Sequence, residues 1–482
     1  VAIQDDGRIV VAGYALVGGG NQFALARYNV DGSLDTGFGE IVGNNRTGSA
    51  TYDVSSLNDG AWAVAVQSDG KIVAAGAAGY GFGVLRVHEA GDPDGDVAAD
   101  PMASPPRAAY TGFGGNGRVE TDFTANVFDV ARAVAIQSDG KIVLAGFATN
   151  NNGTTAVTTD DHKDFALARY TTTGALDTGF DSDGKVTASL GTAGDDEAFA
   201  MAVQSNGKYV LAGKRDLAGA IARFNTSGAL DGEFGNPTGT GNARQGYRIV
   251  PHLSGAESGF RGVVAHSSGV LTAAGYVDDA VDETFVLVRF DANGDLSAEL
   301  RPRSGGTSTV LESTFTVNAD DSRAHALILT ADGKLVVGGY ANDGVSNTFA
   351  LARIAADGSI DSGSPGGFGV QLAGTVTTGF AAGSESAQAV AETNRGYVVA
   401  GYTHNGTDED FLVARYQHHG ELDPDFGTGG KVVTDFGGDD RAFDVVVQSD
   451  GKIVVVGYAT VSGNQDLAVV RYNRDGTLDT GF

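Results

Sequence analysis

The chain has 482 residues, with 73 Gly, 9 Pro, no Cys and a formal net charge of −28. A hydrophobic share of 41% excludes a disordered chain, and scarce Pro without a three-residue Gly period excludes collagen. The absence of Cys excludes disulfides, thiolate metal sites and a cysteine nucleophile, and 60 acidic against 32 basic residues disfavours nucleic acid and anionic membrane as partners. No stretch approaches the roughly 20 apolar residues of a membrane span, so membrane insertion is not expected.

The first predicted element is a hairpin, VAIQDDGRIVVAGY from Val1. Short β-branched runs flank an Asp-Gly turn, the signal of two antiparallel strands. The phrase returns as AVAIQSDGKIVLAGF from Ala133 and VVVQSDGKIVVVGY from Val445, with more worn copies between. Its turn glycines are Gly7, Gly70, Gly140, Gly207, Gly269, Gly333, Gly396 and Gly451, spaced by 63, 70, 67, 62, 64, 63 and 55 residues. A second phrase follows each hairpin, as in FALARYNVDGSLDTGFG from Phe23 and FALARYTTTGALDTGF from Phe165. It predicts a third strand, a tight turn and a connecting segment. A fourth strand, as in GRVETDF from Gly117, precedes the next hairpin.

Four antiparallel strands repeated eight times without helical periodicity predict an all-β fold, a β-propeller of about eight four-stranded blades. Seven blades with one copy displaced is the alternative. The approximate repeats are 1–39, 40–116, 117–183, 184–246, 247–307, 308–369, 370–429 and 430–482, within one domain spanning 1–482. The first copy opens inside a repeat at Val1, so the first blade is expected to be incomplete and the chain to be a piece of a longer protein.

Three repeated positions are expected to be structural. A strand-closing glycine stands at Gly13, Gly76, Gly146, Gly213, Gly275, Gly339, Gly401 and Gly457, where it permits a bulge or a close backbone approach. An arginine recurs at Arg27, Arg86, Arg169, Arg223, Arg289, Arg353, Arg415 and Arg471. Strand alternation puts it on the face of Phe165 and Leu167 in the third copy, so its charge is part-buried and needs an acceptor. The aspartate of the following Leu-Asp supplies one at Asp35, Asp177, Asp231, Asp361, Asp423 and Asp479. The fifth copy has Ser297 there, and the second copy diverges.

AVAIQSDGKIVLAG from Ala133, FALARY from Phe165 and GALDTGF from Gly174 resemble the delta-60 repeat, a bacterial repeat of the β-propeller type. The resemblance covers essentially the whole chain and departs most at 87–116 and 295–325. It implies a secreted or surface-attached bacterial protein, and neither a reaction nor a ligand.

Chemistry-bearing patterns are few. Asn29, Asp31 and Asp35 have a spacing found in calcium loops, repeated at Asn473, Asp475 and Asp479, but other copies lack these carboxylates. An Asx-type turn is the expected role, so no cofactor is expected and calcium is the one candidate. His418 and His419 are adjacent in a turn, and no zinc-ligand spacing occurs. Asp195-Asp196-Glu197 and Asp439-Asp440 recur before the hairpin and read as solvated loop residues; Trp62 reads as core. The stretches 87–116, 149–163 and 295–325 interrupt the repeat and are candidate binding loops. The main functional reading is a non-catalytic binding or structural module with a protein or glycan partner. Its alternatives are a carbohydrate-active hydrolase or lyase at the channel mouth, and a calcium-stabilised adhesion module.

Overall fold

A computed structural model describes residues 1–43, 45–94, 112–125, 127–151, 161–191, 194–238, 243–250, 257–278, 283–296, 313–315, 322–342, 345–356, 360–361, 367–369, 374–380 and 383–482. The chain is all-β, an eight-bladed β-propeller of antiparallel sheets. The sheets span 2–52, 59–121, 130–188, 196–250, 257–315, 322–378, 385–434 and 441–472. The first seven run a-b-c-d from first strand to fourth, and the eighth a-b-c among the described residues. In the third sheet these are Val130–Ile136, Ile142–Asn150, His162–Tyr170 and Lys185–Ala188. Most of 87–116, the middle of 149–163, most of 295–325, and Ser297 lie outside the described residues.

The incomplete sheet is not the first, as expected from the sequence, but the last. Sheet 1 has four strands and sheet 8 has three among the described residues. The d strand belongs to the sheet before it rather than to the hairpin after it: Arg118–Thr121 pairs with Gly81–Val87. The cause, in six of the seven d strands among the described residues, is a glycine just before the strand: Gly48, Gly117, Gly184, Gly246, Gly374 or Gly430. Gly117 sits at φ 80°, a left-handed conformation that reverses the chain, and its carbonyl accepts the Arg86 amide at 2.7 Å. Gly184 and Gly430 repeat this with Arg169 and Arg415. The strand ladders therefore straddle the repeat boundaries read from sequence.

The described residues divide into two compact units, 1–216 with 222–232, and 217–221 with 233–482. Sheets 1–3 lie in the first and sheets 5–8 in the second. Within each unit consecutive a strands lie against one another, while no pair of d strands packs comparably among the described residues. The a strand is therefore the inner edge of each sheet and the d strand the outer.

Faces interlock large against small. Between sheets 2 and 3, Val73, Ala75, Phe82 and Val84 meet Ala131, Leu144, Ala166 and Ala168, all buried. The alanine face of FALARY admits the neighbouring sheet without voids.

Candidate functional site

The two ends of each sheet differ in character. One end carries the a–b turns and the segment after strand c, and there the sequence repeats. Arg169 Nε donates to Asp177 Oδ2 at 2.8 Å, and the Arg169 guanidinium lies 4.6 Å from the centre of the Phe180 ring. Arg27–Asp35, Arg223–Asp231, Arg353–Asp361, Arg415–Asp423 and Arg471–Asp479 make the same bond at 2.6–2.8 Å. The free end of the guanidinium reaches the turn one repeat later. Arg169 Nη1 donates to Thr226 O at 2.6 Å and Arg289 Nη2 to Ala356 O at 3.0 Å, while Arg353 and Arg415 reach His418 O and Arg474 O. Arg169, Arg353 and Arg415 thus each close their own loop and staple the next sheet.

Sequence reading missed a seventh pair. Arg86 Nε donates to Asp94 Oδ2 at 2.7 Å, with Phe113 stacked at 4.5 Å. Pro93 stands where other copies have Leu or, in the sixth, Ile360, which hid the motif, but the offset of eight residues from arginine to aspartate is unchanged. The calcium-like turns lie at this end too. Asp31 Oδ1 accepts Ser33 N and Oγ, and Asp475 Oδ1 accepts Thr477 N and Oγ1, so these carboxylates brace their own turns.

The other end carries the start of strand a and the b–c hairpin, and there the residues vary. Sheets 2 to 8 each have a β-bulge in strand a, opposite the strand-closing glycine of strand b. The glycine is a steric requirement: a Cβ on Gly146 would sit 1.9 Å from Val130 O, and one on Gly457 1.9 Å from Arg441 O. The residue left out of the ladder by the bulge is Trp62, Arg132, Phe199, Arg261, His325, Gln388 and Phe443 in turn. Bulges re-aim side chains and occur beside binding sites. Here a fixed backbone device presents a different side chain in each sheet.

In the first unit this overturns the core reading of Trp62. Its side chain is 51% exposed, because the bulge turns it out of the sheet. Tyr14, 52% exposed, lies 6.1 Å away ring to ring, and the Arg132 guanidinium lies 5.2 Å from the indole. Phe443 in the second unit is likewise 50% exposed, beside Tyr458 at 5.7 Å.

In the second unit the same end holds a cavity of about 610 Å³ between sheets 6 and 7, lined by His325, Tyr340, Asn347, Glu385, Tyr402 and Glu409 among others. His325 Nδ1 lies 3.0 Å from Ala387 O and 3.1 Å from Gln388 Nε2. Burial, with Arg323 and Arg261 nearby, pushes its pKa down to about 4, so the imidazole is neutral. Glu409 is held by Arg441, which also lies 4.8 Å from the Tyr402 ring. Glu385 Oε1 accepts the Phe380 amide at 2.5 Å.

Asp195 and Asp439 are exposed, as the sequence reading has them, whereas their neighbours Asp196 and Asp440 are not solvated. Asp129, Asp196 and Asp440 are buried and bind loop amides. Asp129 accepts Phe123 N and Thr149 N at 2.9 Å each, and Asp196 accepts Leu190 N at 2.7 Å. Burial outweighs these bonds and pushes both carboxyls up to about 7. The sequence concealed this because hydrophilic neighbours such as Asp195 surround them.

Six segments, residues 4–38, 67–95, 137–180, 204–234, 330–363 and 448–482, match a family model described as "Domain of unknown function (DUF5122) beta-propeller". The matches support a β-propeller repeat family. No curated protein matches the chain. Among solved structures, Sqt1 from Chaetomium thermophilum is similar at 11% identity and TM-score 0.45, over 92% of this chain and 88% of that one. A PL25 ulvan lyase is similar at 9% identity and TM-score 0.42, over 86% and 92%. An endo-arabinase from Bacteroides thetaiotaomicron is similar at 13% identity and TM-score 0.30, over 57% and 94%.

Proposed function

We propose that the chain is a non-catalytic binding module that takes neutral saccharides at the bulged ends of its inner strands. One observation carries this reading: a bulge kept in seven sheets presents a varied set rich in aromatic residues and arginine. Such residues dominate recognition because they bury large flat surfaces at low entropic cost. In the first unit Trp62 and Tyr14 offer apolar faces to a sugar ring; in the second, at a place of their own, Asn347, Glu385 and Glu409 offer polar partners for hydroxyl groups. A net charge of −28 favours an uncharged ligand over an anionic one.

Membership of the delta-60 repeat, and with it a bacterial secreted or cell-surface location, is part of the same proposal and rests on the repeated phrases. No helix among the described residues is long and apolar enough to cross a membrane.

A carbohydrate-active enzyme is the second reading, favoured by the neutral His325 in a cavity that holds two glutamates. A glycan-array screen of the full chain, followed by a reducing-end and unsaturated-product assay on every glycan retained, separates the two. The binding module retains defined glycans and leaves them uncleaved. Cleavage of a retained glycan would replace it with the enzyme, and an array without retained glycans would remove both.

A further inference from the structure

We propose that Asp410, Asp435 and Asp440 form a calcium site where sheets 7 and 8 meet. One oxygen from each carboxylate lies within 4.8 Å of the other two, and among the described residues no second group of this kind occurs. Asp410 is the second residue of strand c of sheet 7, Glu409–Gln417. The ladder that pairs Phe411 with Thr434 brings Asp435 beside it. Asp440 comes from the next sheet, drawn in by its amide, which donates to Glu409 O at 2.6 Å. Asp410 and Asp440 are buried, whereas Asp435 is exposed and leaves the group open to solvent.

A second observation comes from outside the cluster. Thr403 stands directly opposite Asp410 in the b–c ladder and is 3% exposed, yet its Oγ1 has no hydrogen-bond partner. Asp410 Oδ1 is equally buried and has none either. Residues directly opposed in an antiparallel pair stand side by side on one face, with Cβ atoms about 5 Å apart. A hydroxyl oxygen and a carboxylate oxygen on directly opposed residues are thus both buried and unsatisfied, and Asp435 and Asp440 stand beside that carboxylate. A bound cation resolves both at once.

The remaining bonds orient the carboxylates. Asn405 Nδ2 donates to Asp410 Oδ2 at 3.0 Å, and Gly437 N donates to Asp435 Oδ1 at 2.6 Å. Phe436 N and Thr460 N hold the two oxygens of Asp440 at 2.7 and 3.1 Å. Each carboxylate oxygen keeps a second lone pair for a metal. Burial and mutual repulsion, with Asp408 adding to it, push the carboxyls of Asp410 and Asp440 up. All donors are hard oxygens in an irregular arrangement open to water on one side. That suits calcium, with its flexible coordination, rather than magnesium, which demands a near-ideal octahedron. The equivalent place between sheets 3 and 4 has Asp164 and Asp196 but Ser189 in the third position.

The test is calorimetric titration of calcium chloride into the full chain freed of metal by chelation, with thermal melting in calcium, magnesium or chelator. The expected result is binding of one calcium ion and a melting temperature raised by calcium more than by equal magnesium. Asp435→Asn, at an exposed position, should melt like wild type in chelator, weaken calcium binding by about tenfold or more, and lose the calcium-induced rise. Thr403→Val should weaken binding as well. Absence of heat with identical melting in calcium and chelator would overturn the site. Wild-type calcium affinity in Asp435→Asn would do the same, and an equal response to magnesium would overturn the choice of metal.

Discussion

Arg169 shows how one residue performs two tasks that a hydrophobic residue of similar size cannot. Its guanidinium closes the loop through Asp177 and reaches Thr226 in the next sheet, and both charges are largely removed from water. Arg169→Met leaves Asp177 with Lys141 as its remaining cation and exposes the Thr226 carbonyl to an apolar neighbour. A loss of about 3 kcal/mol is expected in denaturant titration, in keeping with buried pairs broken on one side. Glycine gives a second prediction. Gly146→Ala drives a methyl into Val130 O and should cost about 2–3 kcal/mol in the same titration. A loss within about 0.5 kcal/mol of wild type would show that the bulge is not what requires glycine. The arginine partnership was legible from recurrence alone, because a buried charge repeated in every copy must find an acceptor repeated at the same offset. The bulge was not legible. It shifts one strand by one residue, and the alternating Ala-x-Ala of GAWAVAVQ or SRAHALIL looks like an unbroken strand.

At the scale of the element, the start of strand a is held by a buried carboxyl, and this sets a pH dependence. Asp129 and Asp196 titrate near pH 7 in the fold because burial favours the neutral form, against about 4 in an unfolded chain. Their stabilising contribution is complete below about pH 4 and is lost as pH rises through 7. Asp94 and Asp479 behave oppositely. His88 and Arg86 outweigh burial and bring Asp94 down to about 2; Lys452 and Arg471 bring Asp479 to about 2. Their contribution is present above about pH 4 and is lost as pH falls towards 2. Melting temperature should therefore peak between about pH 4 and 6 and decline on both sides. Asp196→Asn, which keeps an acceptor for Leu190 N, should flatten the decline between pH 5 and 8. An unaltered pH profile in that variant would show that Asp196 is ionised throughout. Composition gave no access to this, since burial of one aspartate among exposed acidic neighbours depends on how adjacent sheets meet.

Over the whole molecule, repetition and variation are separated in space. The clasp end of seven of the eight sheets holds the repeated arginine–aspartate pair, and its cavity of about 770 Å³ in the first unit is lined by repeat residues such as Gln67, Gln137 and Ser138. The bulged end has a constant backbone and changing side chains. The fold class and the eightfold repeat were visible in the spacing of turn glycines, because hairpins are local. The phase of the sheets was not, because whether strand d joins the preceding or the following hairpin depends on a glycine reversal that periodicity does not reveal. The separation also explains why a search for catalytic motifs in the sequence returned only scaffold. Motifs stand out by recurring, and here the residues placed for recognition are those that do not recur.

The most direct measurement is a glycan array probed in parallel with the wild-type chain, Trp62→Ala at the bulged end and Ser138→Ala at the clasp end. Both substitutions are at positions whose loss leaves the packed core intact. The account predicts that Trp62→Ala loses signal on glycans bound by wild type, by about tenfold or more for an exposed aromatic anchor, while Ser138→Ala keeps it. Full retention by Trp62→Ala together with loss in Ser138→Ala would place recognition at the opposite end of the sheets and contradict it.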